Sequence, residues 1–318
     1  MNEKKDFYQL EKEIVVLKDK IDELLLSEDP KDRKKIPQIK QRIEKEWEKI
    51  RPQLTPLHIV QIARHPKRPY TLDYLDNLTD EFMEIHGDRR ARDDPALVTG
   101  FGFYRGRTVA FIGHQKGRTT KQRIDRNFGQ PNPEGYRKAL RVMKLAEKFG
   151  HPVVTLIDTP GAYPGIRAEE LGQAEAIAFN LREISKLKIP VVNVVIGEGG
   201  SGGALAVGVG DAILMLEYSF YSVISPEGCA AILWKDQKAT PQAAMSLKMR
   251  AKDLLEMGII EKIIPEPPGG AHIDFEQTFK NVDKQLNQTL KKLEQAPHQE
   301  RLEGRYKKFR DIGEFSEK

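Results

Sequence analysis

Sixteen residues constrain this chain more than any others, the stretch 190–205 that reads PVVNVVIGEGGSGGAL. Positions 191–196 are a near-continuous apolar run with one asparagine, Asn193, inside it. Five glycines follow within seven positions, Gly197, Gly199, Gly200, Gly202 and Gly203, and an apolar segment then covers 204–209. The run predicts a buried strand and the apolar segment a helix. A strand that empties into glycines and restarts as a helix leaves bare backbone N–H groups at a helix start, unpaired and at the positive end of the dipole. Such donors suit a developing oxyanion.

The arrangement occurs a second time upstream, in residues 151–165, HPVVTLIDTPGAYPG. A proline again precedes an apolar run, 153–157, which leads into a Pro/Gly loop and a helix from about Ala168. Two strand–glycine–helix units predict neighbouring loops at the carboxyl ends of sheet strands, where open α/β sheets bind their ligands.

The surrounding pattern agrees. Tyr136, Ala139, Leu140, Met143, Ala146 and Phe149 share one helical face over 135–149, and Leu171, Ala174, Ile177, Leu181 and Ile184 share another. Apolar runs at 212–216, 221–224 and 259–264 read as strands, and 245–257 reads as helix. Strand and helix alternate over 135–265, which predicts an α/β domain with mostly parallel pairing. Before it, 97–104 and 108–112 predict a hairpin turning at Arg105 and Gly106.

The flanks differ. Leu10, Ile14, Leu17, Ile21 and Leu24 recur at steps of four and three, as do Ile36, Ile39, Ile43, Trp47 and Ile50. These spacings predict a helical hairpin with narrow apolar stripes and no chemical motif, an arm for docking or oligomerisation. Residues 54–64 and 71–85 also read as helical, and 274–293 forms an amphipathic helix. The tail from 295 is polar and is expected to run over the surface, pinned by Phe309, Ile312 and Phe315. The expected organisation is a helical region over 1–95, a core over 96–270, and a C-terminal helix and tail over 271–318.

Composition narrows the chemistry. With 52 basic against 47 acidic residues the net charge is +5, a weak signal for nucleic acid and a fair one for an anionic small ligand or acidic partner. The single cysteine, Cys229, excludes an internal disulfide and a cysteine-rich zinc site, and its apolar neighbours predict a buried thiol. No membrane-length apolar run and no signal-peptide segment occur, so a cytoplasmic chain is expected.

Several motifs compete for function. Within 114–126, Lys116, Arg118, Lys121, Arg123 and Arg126 face one acidic residue, Asp125. The loop reads either as solvated or as a surface for phosphates or an acidic partner, and few aromatics interleave it, against single-strand nucleic-acid binding. His86 lies among aspartates, but no spacing fixes a ligand set, so no metal is expected. Gly199-Gly200-Ser201-Gly202-Gly203 matches the G-x-S-x-G nucleophile elbow, which keeps a serine hydrolase open. Such an enzyme needs a base held by an acid, and His272, next in chain order, stands in a Pro/Gly turn with no visible orienter. Neither the P-loop nor the Rossmann fingerprint is present. Asp158, Glu198, Glu217 and Glu227 near strand ends read equally as bases, caps or ion-pair partners.

The chain resembles the alpha subunit of bacterial acetyl-coenzyme A carboxylase carboxyltransferase. The likeness is carried by RHPKRPYTLDY from Arg64, HGDR from His86, HQKGR from His114, RNFGQPNPEGYRKALR from Arg126, IDTPGAYPG from Ile157, VIGEGGSGGALAVGVGD from Val195, YSVISPEGCAAILWKD from Tyr221 and EPPGGAH from Glu266. The resemblance implies a crotonase-like spiral of ββα units. It implies a beta subunit of the same fold, commonly as two alpha and two beta chains, with the active site between alpha and beta. It implies transfer of carboxylate from carboxybiotin on the biotin carrier protein to acetyl-CoA, giving malonyl-CoA for fatty-acid synthesis. The family's oxyanion-binding glycine pair falls on Gly202 and Gly203. Gly161, Ala162, Gly199 and Gly200 are expected to line the substrate, and Lys116 and Arg118 to meet CoA or, preferably, a partner protein. No cofactor is expected to be bound covalently. Zinc is expected on the beta subunit and ATP on the biotin carboxylase component. A crotonase-type acyl-CoA hydratase or isomerase is the alternative within the same fold.

Overall fold

The structure is a computed structural model that describes residues 6–313. Its centre is an eight-stranded sheet in the order β1-β2-β3-β4-β5-β6-β8, with β7 paired to the far end of β5. The strands are β1 Phe82–Glu84, β2 Leu97–Tyr104, β3 Arg107–His114, β4 Val153–Thr159, β5 Val191–Gly200, β6 Ala212–Leu216, β7 Phe220–Ser222 and β8 Lys262–Ile264. β1, β2 and β3 pair antiparallel. From β3 through β4, β5, β6 and β8 every pairing is parallel. Arg105 and Gly106, both at positive φ, close the β2–β3 hairpin, as the strand twist requires of a two-residue loop.

Helices cover both faces. On one, Pro133–Phe149 and Gln173–Ile184 bury Tyr136, Met143, Ala176 and Ile184 against Val153, Ile157, Val191 and Val195. On the other, Thr71–Leu78 and Phe275–Gln295 bury Tyr74, Leu75, Phe279 and Leu286 against Val154, Leu156, Val192 and Val194. Alternate residues of β4 and β5 thus serve opposite layers, which is why both strands read as unbroken apolar runs. The Asn193 amide nitrogen is satisfied inside β5, donating to Thr155 Oγ1 at 2.7 Å and to the Val207 carbonyl at 3.1 Å, while its Oδ1 is buried without a hydrogen bond among the described residues.

The N-terminal arm is a helical hairpin. Lys12–Leu26 and Ile36–Ile50 bury Ile14, Leu17, Ile21, Ile39, Ile43 and Trp47 together with Tyr218 and Ile273 of the core.

Five expectations need correction. The strand 191–196 continues to Gly200, because β7 gives Glu198, Gly199 and Gly200 a parallel partner. The helix expected over 204–209 is one short turn, Ser201–Leu205. The stretch 71–85 ends its helix at Leu78 and then supplies edge strand β1. The helix expected over 245–257 is two, Thr240–Ser246 and Ala251–Glu256, parted at Lys248, whose φ is +49°, and restarted by Asp253 bonding back to the Arg250 N–H. The tail folds as helix His298–Arg310, anchored by buried Arg305 rather than by aromatics alone. Phe309 does pack on the core, Ile312 is exposed, and Phe315 lies outside the described residues.

Candidate active site

β4 and β5 run side by side, and at Thr159↔Gly199 their register has slipped from the pairing that ends at Ile157↔Val195. Just beyond, the two loops lock backbone to backbone. A Cβ on Gly200 would lie 2.2 Å from the Pro160 carbonyl oxygen, and one on Gly203 would lie 2.4 Å from the Gly161 carbonyl carbon and 2.6 Å from the Ala162 nitrogen. Glycine is required there because side chains would drive the loops apart. Gly202 is different, since a Cβ there would meet only Ile177 at 3.4 Å.

The loop after β4 is also fixed from within. Thr159 Oγ1 accepts the Gly161 N–H at 3.1 Å and donates to the Gly161 carbonyl at 2.8 Å. The Tyr163 N–H donates to the Pro131 carbonyl, and Gln173 donates to the carbonyls of both Pro131 and Tyr163. Facing this rigid loop, Gly202 and Gly203 occupy the first turn of Ser201–Leu205, whose amides have no carbonyl four residues back within the helix. Among the described residues neither N–H donates to a backbone carbonyl outside that turn. The site therefore offers two adjacent donors held by backbone packing, the arrangement that stabilises an oxyanion.

Beneath the donors lies charge. Lys116 Nζ donates to Asp158 Oδ1 at 2.8 Å and to Glu198 Oε1 at 2.7 Å. Arg64 Nε donates to Glu198 Oε2 at 2.7 Å, and its Nη1 to Glu227 Oε1 at 2.9 Å. Burial opposes the Lys116 charge, but Asp158 and Glu198 outweigh it and hold its pKa above the ordinary lysine value. Burial raises the Asp158 pKa, with Lys116 pulling the other way. His114, at the end of β3, is fully buried, with its ring beside the backbones of Gly203 and Leu156 but without a well-formed hydrogen bond to either. Desolvation first, then the Lys116 charge, push its pKa down to about 3, so it is neutral at physiological pH.

The residues singled out in sequence fall into two groups. Gly161, Ala162, Gly199, Gly200, Gly202 and Gly203 come together at the loop contact. The basic loop is largely committed to its own fold. Arg118 pairs with Asp73 and covers the Tyr70 ring at 4.9 Å. Arg123 donates to the Gly117 carbonyl, and Arg126 to the Pro95 carbonyl. Of the candidate bases, Asp158 and Glu198 are ion-paired as above, Glu227 pairs with Arg64, and Glu217 pairs with Arg51.

His272, the imidazole that follows Ser201 in chain order, bonds Glu11 at 2.8 Å and stacks on His65 with ring centroids 3.8 Å apart. It is thus engaged elsewhere and gives Ser201 no base. Glu11, His65 and His272 form a buried group of metal-ligand types that sequence reading missed, since Glu11 belongs to the arm and no spacing links the three. Its hydrogen bonds argue against a metal. His65 Nδ1 accepts the Lys67 N–H at 3.2 Å, so a metal on Nε2 would set two donors against each other. Burial works against the Glu11 charge, but hydrogen bonds from His272 and His65 outweigh it and hold the carboxyl at about 2. The group ties the arm to the core. Exposed His86 bonds Asp93 at 2.9 Å.

The mixed α/β sheet, parallel from β3 to β8 and carrying paired glycine loops at its carboxyl edge, is a crotonase-like fold. Solved structures share that fold. The chain is similar to a transcarboxylase 12S core, with a TM-score of 0.58 and 19% identity over 71% of this chain and 42% of that one. It is also similar to a chain of a Pseudomonas malonate decarboxylase hetero-tetramer, with a TM-score of 0.56 and 17% identity over 67% and 85%. The family described as acetyl co-enzyme A carboxylase carboxyltransferase-like matches residues 7–313. Acetyl-coenzyme A carboxylase carboxyl transferase subunit alpha of Geobacter metallireducens is 52% identical over 98% of this chain and 99% of its own, and that of Neisseria gonorrhoeae is 51% identical over 98% of each. The chain belongs to the family of acetyl-CoA carboxylase carboxyltransferase alpha subunits. Among the described residues no helix is long and apolar enough to cross a membrane.

Proposed function

We propose that this chain supplies the biotin-side half of a carboxyltransferase site completed by a beta subunit, as two alpha and two beta chains working in the cytoplasm. The carboxyl donor is carboxybiotin on its carrier protein, charged by an ATP-using biotin carboxylase. The acceptor is acetyl-CoA and the product malonyl-CoA. Zinc belongs to the beta subunit in this reading.

The observation that carries the reading is the pair of first-turn N–H groups, Gly202 and Gly203, the second of them packed against Gly161 and Ala162. Carboxybiotin supplies CO2, which leaves charge on the ureido oxygen, and the ureido nitrogen takes the methyl proton of acetyl-CoA as the enolate adds to CO2. The two N–H groups bind that oxygen charge in place of water, with no reorganisation needed when it forms. The loop 160–165 walls the pocket. Biotin and substrate exchange the proton between themselves, so no side-chain dyad is needed, in keeping with the ion pairs that occupy Asp158, Glu198, Glu217 and Glu227.

The test is Gly203→Val in the assembled complex. Transfer should fall by at least about 10²-fold, the loss typical of one oxyanion donor, while the complex still forms. Unchanged turnover in an assembled variant would overturn the assignment of the donors.

A further inference from the structure

The register slip beside the glycine loops has an unusual support. Between Ile157↔Val195 and Thr159↔Gly199, β4 advances two residues while β5 advances four, so ladder bonds cannot serve every backbone group there. Side chains serve them instead. The Glu198 N–H donates to Asp158 Oδ1 at 3.0 Å, and the Ile196 carbonyl accepts from Arg68 Nε at 2.7 Å. A Cβ on Gly197 would lie 2.3 Å from Asp158 Oδ1, so the glycine leaves room for that carboxylate to reach across. Asp158 and Glu198 are 1% and 4% exposed, and two buried carboxylates this close repel unless a cation separates them. Lys116 is the cation that touches both.

We infer that Lys116 is a positioning residue for carboxyl transfer: by bridging Asp158 and Glu198 it holds the slipped register that aims residues 199–203 at Gly161 and Ala162. Arg64, bound to Glu198 from the other side, anchors the same carboxylate but does not reach Asp158. Without Lys116, Asp158 and Glu198 lose the cation that touches both, and the strand end that Asp158 braces relaxes. The loops shift relative to one another, and the donors leave the position of the developing charge. The inference replaces the expectation that the Lys116 ammonium meets CoA or a partner, because two buried carboxylates already occupy it.

The inference rests on the oxyanion reading above, and the experiment separates the two. Lys116→Met and Gly203→Val are each assembled with the beta subunit and assayed for carboxyl transfer, and amide exchange is followed across the alpha chain. Lys116→Met should lower kcat by about 10²-fold, the cost of a displacement near 1 Å, with KM for the CoA substrate changed less than about twofold. Exchange should quicken at 159–163 and 197–203 and stay unchanged in Phe275–Gln295 and the N-terminal arm. A raised KM with kcat intact would restore the ligand-contact role and overturn the inference. So would exchange that quickens evenly over the chain, or wild-type kinetics. If Gly203→Val keeps full activity, the oxyanion reading fails; if only Lys116→Met does, that reading stands and the positioning role falls. Should Lys116→Met not assemble, Glu198→Gln removes the charge at equal size and is judged by the same readouts.

Discussion

Of the side chains near the donors, Ser201 separates the carboxyltransferase reading from the serine-hydrolase reading. Ser201 sits at φ +47°, a strained position for a non-glycine residue and one that invites the nucleophile reading. His272 is tied to Glu11 on the arm and so does not serve as the base for the hydroxyl. Ser201→Ala should therefore keep transfer within about threefold of wild type, since no attack depends on the hydroxyl. Loss of all activity in an assembled variant would reinstate the hydrolase. His114 makes a second claim measurable. Its folded pKa, lowered to about 3 by burial and then Lys116, lies below the unfolded value. The unfolded chain thus binds a proton first on acidification. This contribution to stability is complete above the ordinary histidine value near 6.5 and is lost as the pH falls towards 3. The loss is on the order of 1.4 kcal/mol for each pH unit between the two values. Urea midpoints measured from pH 7 to pH 4 should fall more steeply for wild type than for His114→Phe, and parallel curves would contradict the assignment.

Among the elements, the ones that carry an apolar pattern were legible and the ones held by polar groups were not. β4 and β5 announced themselves because both faces are covered, and the hairpin helices because their stripes recur at helical spacing. The extension of β5 to Gly200 was hidden, since glycines carry no side-chain pattern and the pairing partner, β7, is only three residues long. The ion network was hidden because Lys116 stands in a basic loop that reads as solvated. The last helix was hidden because its anchor is a charged residue. Arg305 donates to both Asp211 oxygens, at 2.9 and 2.7 Å, and to the carbonyls of Ile184, Leu187 and Ile189. Asp211 in turn accepts the Val191 N–H at 2.8 Å, so the tail helix is tied to the first residue of β5. Arg305→Ala strands a buried carboxylate and the carbonyls of Leu187 and Ile189 and should cost about 3–5 kcal/mol. Denaturant unfolding checks this, and a loss under about 1 kcal/mol, the size of an exposed ion pair, would show the anchor to be dispensable.

At the scale of the whole molecule, the proposed site is a pair of backbone donors, Gly202 and Gly203, just beyond the carboxyl end of β5. Among the described residues the carboxylates nearest them, Asp158 and Glu198, are ion-paired with Lys116. That arrangement fits an enzyme whose second half resides on another chain. The most direct test is malonyl-CoA-dependent carboxyl transfer to free biotin, run with this chain alone, with the matched beta subunit alone, and with both. Activity confined to the mixture is the predicted result. Transfer by this chain alone, or hydrolysis of an ester or acyl-CoA by it, would contradict the account.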